Sequence, residues 1–285
     1  MFKLGVIKFV WRSVIIAFII ILLTVFLLGI AGEIDKIRRT LWGVEKGVSF
    51  YNYNVSNKLR KEVATVISSY AQSHIRYPLP AAINEETGAV VPETKGKIID
   101  ITATVDKIFS AKQGETVKEI SYLINPDLKK EDLLCLTEEI ASYQTPMLGA
   151  KKRKENIKLA AHLINNTLLT AEEIFSFNEE VGPRTKQRGF KESPQIVEGE
   201  LILGVGGGIC QVSSTLYNVL VQKELKIIEH HHHSQEVGYV PEGQDAAVAW
   251  DYLDLKFKNN LVHPIIIKAG VKGGQLQVDL LGPKD

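Results

Sequence analysis

The stretch Gly204-Val205-Gly206-Gly207-Gly208-Ile209-Cys210-Gln211-Val212-Ser213-Ser214-Thr215-Leu216-Tyr217-Asn218 decides how this chain is read. Four glycines in the five positions 204–208 exclude a regular element there, because glycine weakens helix and strand alike and serves where the backbone needs unusual angles or close approach. From Cys210 to Glu224 the apolar residues Val212, Leu216, Val219 and Leu220 recur at the spacing of a buried helix. Cys210 thus stands at a helix N-terminus, where free N–H groups and the positive end of the dipole favour thiolate over thiol. The main-chain N–H groups near Gly207, Gly208 and Gln211 are suited to hold an oxyanion. A nucleophilic cysteine for acyl transfer fits this arrangement, and so does a structural cysteine beside a packing turn. A phosphate loop does not, since no Lys-Ser/Thr pair follows the glycines.

A cysteine nucleophile needs a base, and His230-His231-His232-His233 lies about 20 residues on. In an extended chain His231 and His233 share one face. Either is a candidate base. Adjacent histidines on one strand cannot alone surround an ion, so neither a metal nor a cofactor is expected. Asp245, just past the Pro241-Glu242-Gly243 turn, and Asp254 are candidates to orient the imidazole. Arg184, in a Gly-Pro-Arg-Thr loop, can hold a substrate carboxylate through a bidentate pair or lie on the loop surface. Ser213 and Ser214 are candidate substrate-binding hydroxyls. Cys135, with Leu and Glu neighbours and no glycine turn, is expected to be buried or incidental. A Cys135–Cys210 disulfide is formally open outside a cell and would block this chemistry.

Outward from this block, Glu155–Asn166 reads as a helix, and strands are expected over 194–203, 226–231, 236–240, 253–258, 264–271 and 275–281. Lys151-Lys152-Arg153-Lys154 reads as a solvated loop. Further upstream, helical spacing over 57–75, a hairpin around Gly88, a helix capped by Asp100 and running to about Ala111, and a strand over 117–124 outline a small module. The fold class expected is α+β. It comprises a single N-terminal transmembrane helix (residues 1–32 with a short tail), juxtamembrane helices and a small α+β module (33–135), and a mixed domain over 136–285. In that last domain the Cys-bearing helix packs on antiparallel strands.

The transmembrane helix is read from Ser13–Gly32, which holds no charged residue; twenty helical residues reach about 30 Å, a bilayer's hydrocarbon thickness. Lys3, Lys8 and Arg12 precede it with no acidic residue, as in an N-in signal anchor. The apolar core exceeds that of a usual cleaved signal peptide, although Gly29 and Ala31 make a tolerable cleavage site. The 285 residues carry 34 Lys+Arg against 33 Asp+Glu; without the first 32, 31 face 33 for a net charge of −2. No broad basic field is left for nucleic acid. The bulk of the chain is expected outside the cytoplasmic membrane, and nothing in the sequence sets an oligomeric state.

The Gly206–Asn218 block resembles the VanW family. So do Asn156–Ala160, Phe175-Ser176-Phe177-Asn178, Val181-Gly182-Pro183-Arg184-Thr185, His233-Ser234, Val237–Pro241, Asp245–Val248 and Asp254–Asn260. The likeness covers about residues 155–281, and residues 80–125 are more faintly similar to the peptidoglycan-binding-like module that often precedes this domain. The resemblance implies cell-envelope work in Gram-positive-type bacteria, where some members act as L,D-transpeptidases that make 3–3 crosslinks between peptidoglycan stem peptides. Carried over, it makes Cys210 the nucleophile and His233, by its register with Ser234, the base, with His231 as rival. Non-catalytic wall binding and hydrolysis of the same polymer stay open beside transfer, because transfer and hydrolysis begin with the same thioester.

Overall fold

The computed structural model describes residues 2–197 and 200–284. Helix α1 (Phe2–Trp42) continues well past the apolar run. Its stretch Ile15–Trp42 is long and apolar enough to cross a membrane, and its apolar side chains from Ile15 to Leu28 are exposed all round. A helix with no polar face to water suits a lipid surrounding.

By its internal contacts the chain divides into two units, Met1–Pro78 with Lys95–Asn125 and Leu79–Thr94 with Pro126–Asp285. In the first, helices α2 (Arg60–His74) and α3 (Ile101–Phe109) enclose a core of Phe50, Val63, Ile67, Val105 and Ile108. Asp100 caps α3 by accepting the Ala103 N–H at 2.8 Å, as its position before the apolar stripe predicts. The single strand expected over 117–124 is two, Thr116–Val117 and Ser121–Ile124. The Ile120 N–H between them donates to Thr104 Oγ1 at 3.0 Å instead of to a neighbouring strand.

The second unit contains the glycine–cysteine block. It begins with the Ala82–Ile83/Val90–Val91 hairpin and the short α4 (Lys130–Leu134). A four-stranded antiparallel sheet follows, ordered 136–146, 275–283, 265–272, 167–169. Along the 275–283 strand Leu276, Val278 and Leu280 alternate inward, so one face of the sheet is apolar. Helices α5 (Lys151–Ile164) and α7 (Ile209–Gln222) pack on that sheet and on each other. Helix α5 begins four residues earlier than expected, because the Lys-Lys-Arg-Lys run forms its first turn rather than a loop. Unbranched basic residues favour helix, and Arg153 Nη1 donates to Leu148 O at 2.8 Å. The 136–146 strand was not foreseen. Thr137 to Gln144 have no regular apolar alternation, and the strand is held by pairing to 275–283.

Strand 174–176, the short α6 (Phe177–Val181) and strands 256–258 and 226–229 complete the frame around α7. The strand expected over 194–203 crosses residues 198–199, which lie outside the described residues. On either side, 192–197 and 200–205 pair antiparallel as a hairpin. Residues 236–240 form no strand. They are a loop whose Val237 and Tyr239 face a cavity.

Candidate functional site

The glycine turn is fixed from three sides before Cys210 is reached. Gly206 and Gly208 take left-handed φ of 95° and 107°, which disfavour any side chain. At Gly207 a Cβ would lie 2.5 Å from Pro194 O and 2.8 Å from Ser193 O, so only glycine lets the turn approach the 192–197 strand. Asn156 on α5, 1% exposed, clamps the turn: its Nδ2 donates to Gly207 O and Lys191 O, both at 3.0 Å, and its Oδ1 accepts from Lys191 N at 2.7 Å. Gly208 then caps α7, placing Cys210 in the first turn.

The Cys210 thiol donates to Val248 O at 3.4 Å, and the imidazole of His233 lies close enough to act on its ionisation. On its other side His233 Nδ1 donates to Asp245 Oδ2 at 2.6 Å, which leaves Nε2 for the sulfur, and the His233 main-chain N–H donates to the same oxygen at 2.7 Å. His232 Nδ1 donates to the second oxygen, Oδ1, at 2.9 Å. These bonds hold Asp245 down to about 2, outweighing the upward push of its burial. Burial lowers the proton affinity of His233, but the thiolate and Asp245 more than reverse this and raise its pKa to about 8. Burial pushes the Cys210 thiol up; the adjacent imidazole of His233 and its charge, with the Arg184 guanidinium, bring it below its ordinary value. The arrangement stabilises a thiolate–imidazolium pair, with Asp245 orienting the ring and countering its charge.

The four histidines have separate partners. His230 Nε2 donates to Asp245 O at 2.7 Å and its ring stacks on Tyr217 with centroids 4.0 Å apart. His231, the expected rival base, is turned away from the sulfur. Its Nε2 donates to Glu229 Oε1 at 3.1 Å, because 230–233 is not an extended strand and the two-residue periodicity does not apply. Asp254, the other candidate to orient the ring, accepts from Ser176 Oγ, Asn178 N and Leu255 N instead.

Among the described residues the Gln211 N–H is spent on Gly208 O at 3.1 Å, whereas the N–H groups of Gly207, Gly208 and Cys210 have no acceptor. Ser213 and Ser214 are buried and their hydroxyls face inward. Ser213 Oγ donates to Ala246 O at 2.7 Å, and Ser214 Oγ donates to Cys210 O at 2.7 Å while accepting the Ala246 N–H at 2.8 Å. They bind α7 to the segment after Asp245 rather than lining a ligand space. Cys135 is exposed, and both cysteines are free thiols. No group of three His, Cys, Asp or Glu among the described residues is placed to hold a metal ion.

Cys210 and His233 open into a cavity of about 580 Å³. Arg184 reaches it, donating to Gly182 O at 2.9 Å and to Asn178 Oδ1 at 2.6 Å, with its guanidinium 5.7 Å from the Trp250 ring centroid. Three further wall residues, Arg153, Tyr239 and Trp250, were not singled out from sequence. For Arg153 a signal existed. It precedes the buried Ile157 by four and Ala160 by seven, the stripe of α5 that faces inward.

The family model described as VanW like protein matches residues 152–281, which span Arg153, the glycine turn, Cys210, the histidines and Asp245. The protein named YoaR of Bacillus subtilis (strain 168) is 37% identical over 219 residues, 75% of this chain and 72% of its own length. The chain belongs to the VanW family. A second relative in the family, the vancomycin B-type resistance protein VanW of Enterococcus faecalis (strain ATCC 700802 / V583), is 31% identical over 119 residues, 40% of this chain and 43% of its own length. No solved structure matches the chain significantly.

Proposed function

We propose that this VanW-family chain is a membrane-anchored, extracytoplasmic cysteine acyltransferase of the L,D-transpeptidase type, acting on peptidoglycan stem peptides. The observation that carries the reading is the Cys210–His233–Asp245 relay at the wall of an open cavity. The vancomycin-resistance name of the Enterococcus relative supports work on the cell wall, and the apolar helix after a basic start supports an anchor with its N-terminus inside.

In this reading the Cys210 thiolate attacks the carbonyl of the third stem residue. The tetrahedral oxyanion is held by the N–H groups of Gly207, Gly208 and Cys210. His233 gives its proton to the departing amine of the terminal D-Ala as the C–N bond breaks, leaving a thioester. The amine of a second stem then attacks, His233 takes its proton, and the thiolate is released as the new amide forms. Arg184 holds the carboxylate of the leaving residue.

The test is incubation of the full chain, in detergent micelles, with disaccharide tetrapeptides and mass analysis of the products. Dimers lacking one D-Ala, absent with Cys210→Ala at unchanged melting temperature, are the expected outcome. Shortened stems without dimers would replace transfer by hydrolysis. Dimers that persist in Cys210→Ala would overturn the role of the thiol.

A further inference from the structure

Arg153 and Arg184 come from different elements, α5 and the loop after α6, yet both pack on the glycine turn beside Cys210. A Cβ on Gly208 would lie 2.9 Å from Arg153 Cγ, and one on Gly206 would lie 3.2 Å from Arg184 Cγ, so the stems of the two arginines press on alternate glycines. Both line the same cavity as Cys210. Among the described residues neither guanidinium is in ion-pair contact with a carboxylate. Arg153 is held by Leu148 O and the Tyr239 ring, Arg184 by Gly182 O, Asn178 Oδ1 and two aromatic rings. No Asp or Glu among the described residues lines the cavity.

Two half-buried cations held by neutral acceptors and ring faces are costly to keep dehydrated, and burial lowers the proton affinity of both. Fork-shaped guanidinium groups held in this way are prepared for bidentate oxyanion partners, which a lysine would not be.

We infer that Arg153 and Arg184 form a two-point carboxylate clamp around Cys210, so that the donor is an acidic peptide carrying two carboxylates, one at its C-terminus and one on a side chain. The charge of the sulfur bears on both guanidinium groups; Arg184 is given the C-terminal carboxylate, one residue from the attacked carbonyl, by the acyl-transfer reading. Arg153, on the other glycine, takes the side-chain carboxylate. This rests on the acyl-transfer reading for the position of the donor, and names its substrate class. It also makes Arg153 a specificity-determining residue: a donor amidated on its side chain loses that contact and keeps the rest.

The experiment uses the full chain in detergent with four synthetic tetrapeptide donors, namely free acid, C-terminal amide, side-chain amide and both amides. Acylation of Cys210 is followed by intact mass. Each amidation is expected to lower kcat/KM by roughly 10- to 100-fold, the worth of a charged hydrogen-bonded pair. In Arg184→Gln the C-terminal amide should bring no further loss, and in Arg153→Gln the side-chain amide should bring none. Arg184→Lys and melting curves separate loss of charge from loss of fold. Donors acylating at equal rates, or losses that add fully to those of the arginine variants, would overturn the clamp. Should no donor acylate Cys210, the transfer reading fails first. The clamp is then decided by equilibrium binding of the diacid peptide to Cys210→Ala: weakening by both Arg153→Gln and Arg184→Gln supports it, and unchanged binding rejects it.

Discussion

Replacing Asp245 by Asn tests the relay at the residue that does not touch the sulfur. The carboxylate accepts three hydrogen bonds, at 2.6, 2.7 and 2.9 Å, from His233 Nδ1, the His233 N–H and His232 Nδ1. An amide of the same shape has one acceptor oxygen and no charge, so the three bonds cannot all persist and any that do are no longer to a charged acceptor. A hydrogen bond to a charged group is worth about 1.5–3 kcal/mol, and at 1.36 kcal/mol per factor of ten its loss lowers the thiolate–imidazolium population by about 10- to 150-fold. The assay is alkylation of Cys210 by iodoacetamide, followed by intact mass in a Cys135→Ser background, since Cys135 is exposed and would also react.

The sign with pH follows from the folded-state values. His233 is raised from 6.5 to about 8, so its stabilisation is complete below about pH 6.5 and fades as pH rises through 8. Asp245 is lowered from 3.8 to about 2, so its share is present above pH 3.8 and lost as pH falls through 2. The cost of Asp245→Asn, in rate and in melting temperature, is therefore greatest between about pH 4 and 6.5 and shrinks as pH rises through 8. An alkylation rate unchanged within about twofold, with the His233 midpoint still near 8 and the fold intact, would refute the reasoning.

Gly207→Ala must move the 192–197 strand away from a Cβ at 2.5 Å, at a cost of about 1–3 kcal/mol, and should lower the melting temperature of the second unit by several degrees in a thermal scan. Asn156→Ala strands the Gly207 and Lys191 main-chain groups in a buried site, costing about 2–4 kcal/mol; chemical denaturation should show it, with alkylation of Cys210 slowed in parallel. His231→Gln, by contrast, alters only the contact with Glu229 and should leave the pH profile of Cys210 alkylation in place; a shifted profile would return His231 to the site.

The parts of this fold that one segment dictates by itself were legible. The glycine turn, α7, the Asp100 cap and the apolar span all follow from local spacing, and each lies within two residues of its expected place where a boundary was given; the helix of the span, expected to extend briefly over Glu33 to Arg39, reaches Trp42. The choice between His231 and His233 was not legible from periodicity. It depends on how the 230–233 segment is gripped by Asp245, a residue twelve positions on from His233. The inward aim of Ser213 and Ser214 was hidden for the same reason, since their partner Ala246 is more than thirty residues away. Arg153 was lost to an error of boundary. Starting α5 at Glu155 removes the turn that would have put it on the buried stripe.

Ser214 has a consequence beyond the bonds it makes. Its hydroxyl joins the carbonyl of Cys210 to the amide of the residue after Asp245, and the Ser213 hydroxyl joins the same carbonyl to Ala246 O, so the segments of the nucleophile and of the distant acid are tied by two adjacent side chains. Anyone transplanting this centre to a new scaffold would need to carry residues 206–214 and 245–248 as a pair together with His233, because Cys210, His233 and Asp245 copied alone would arrive without the serine link between their segments.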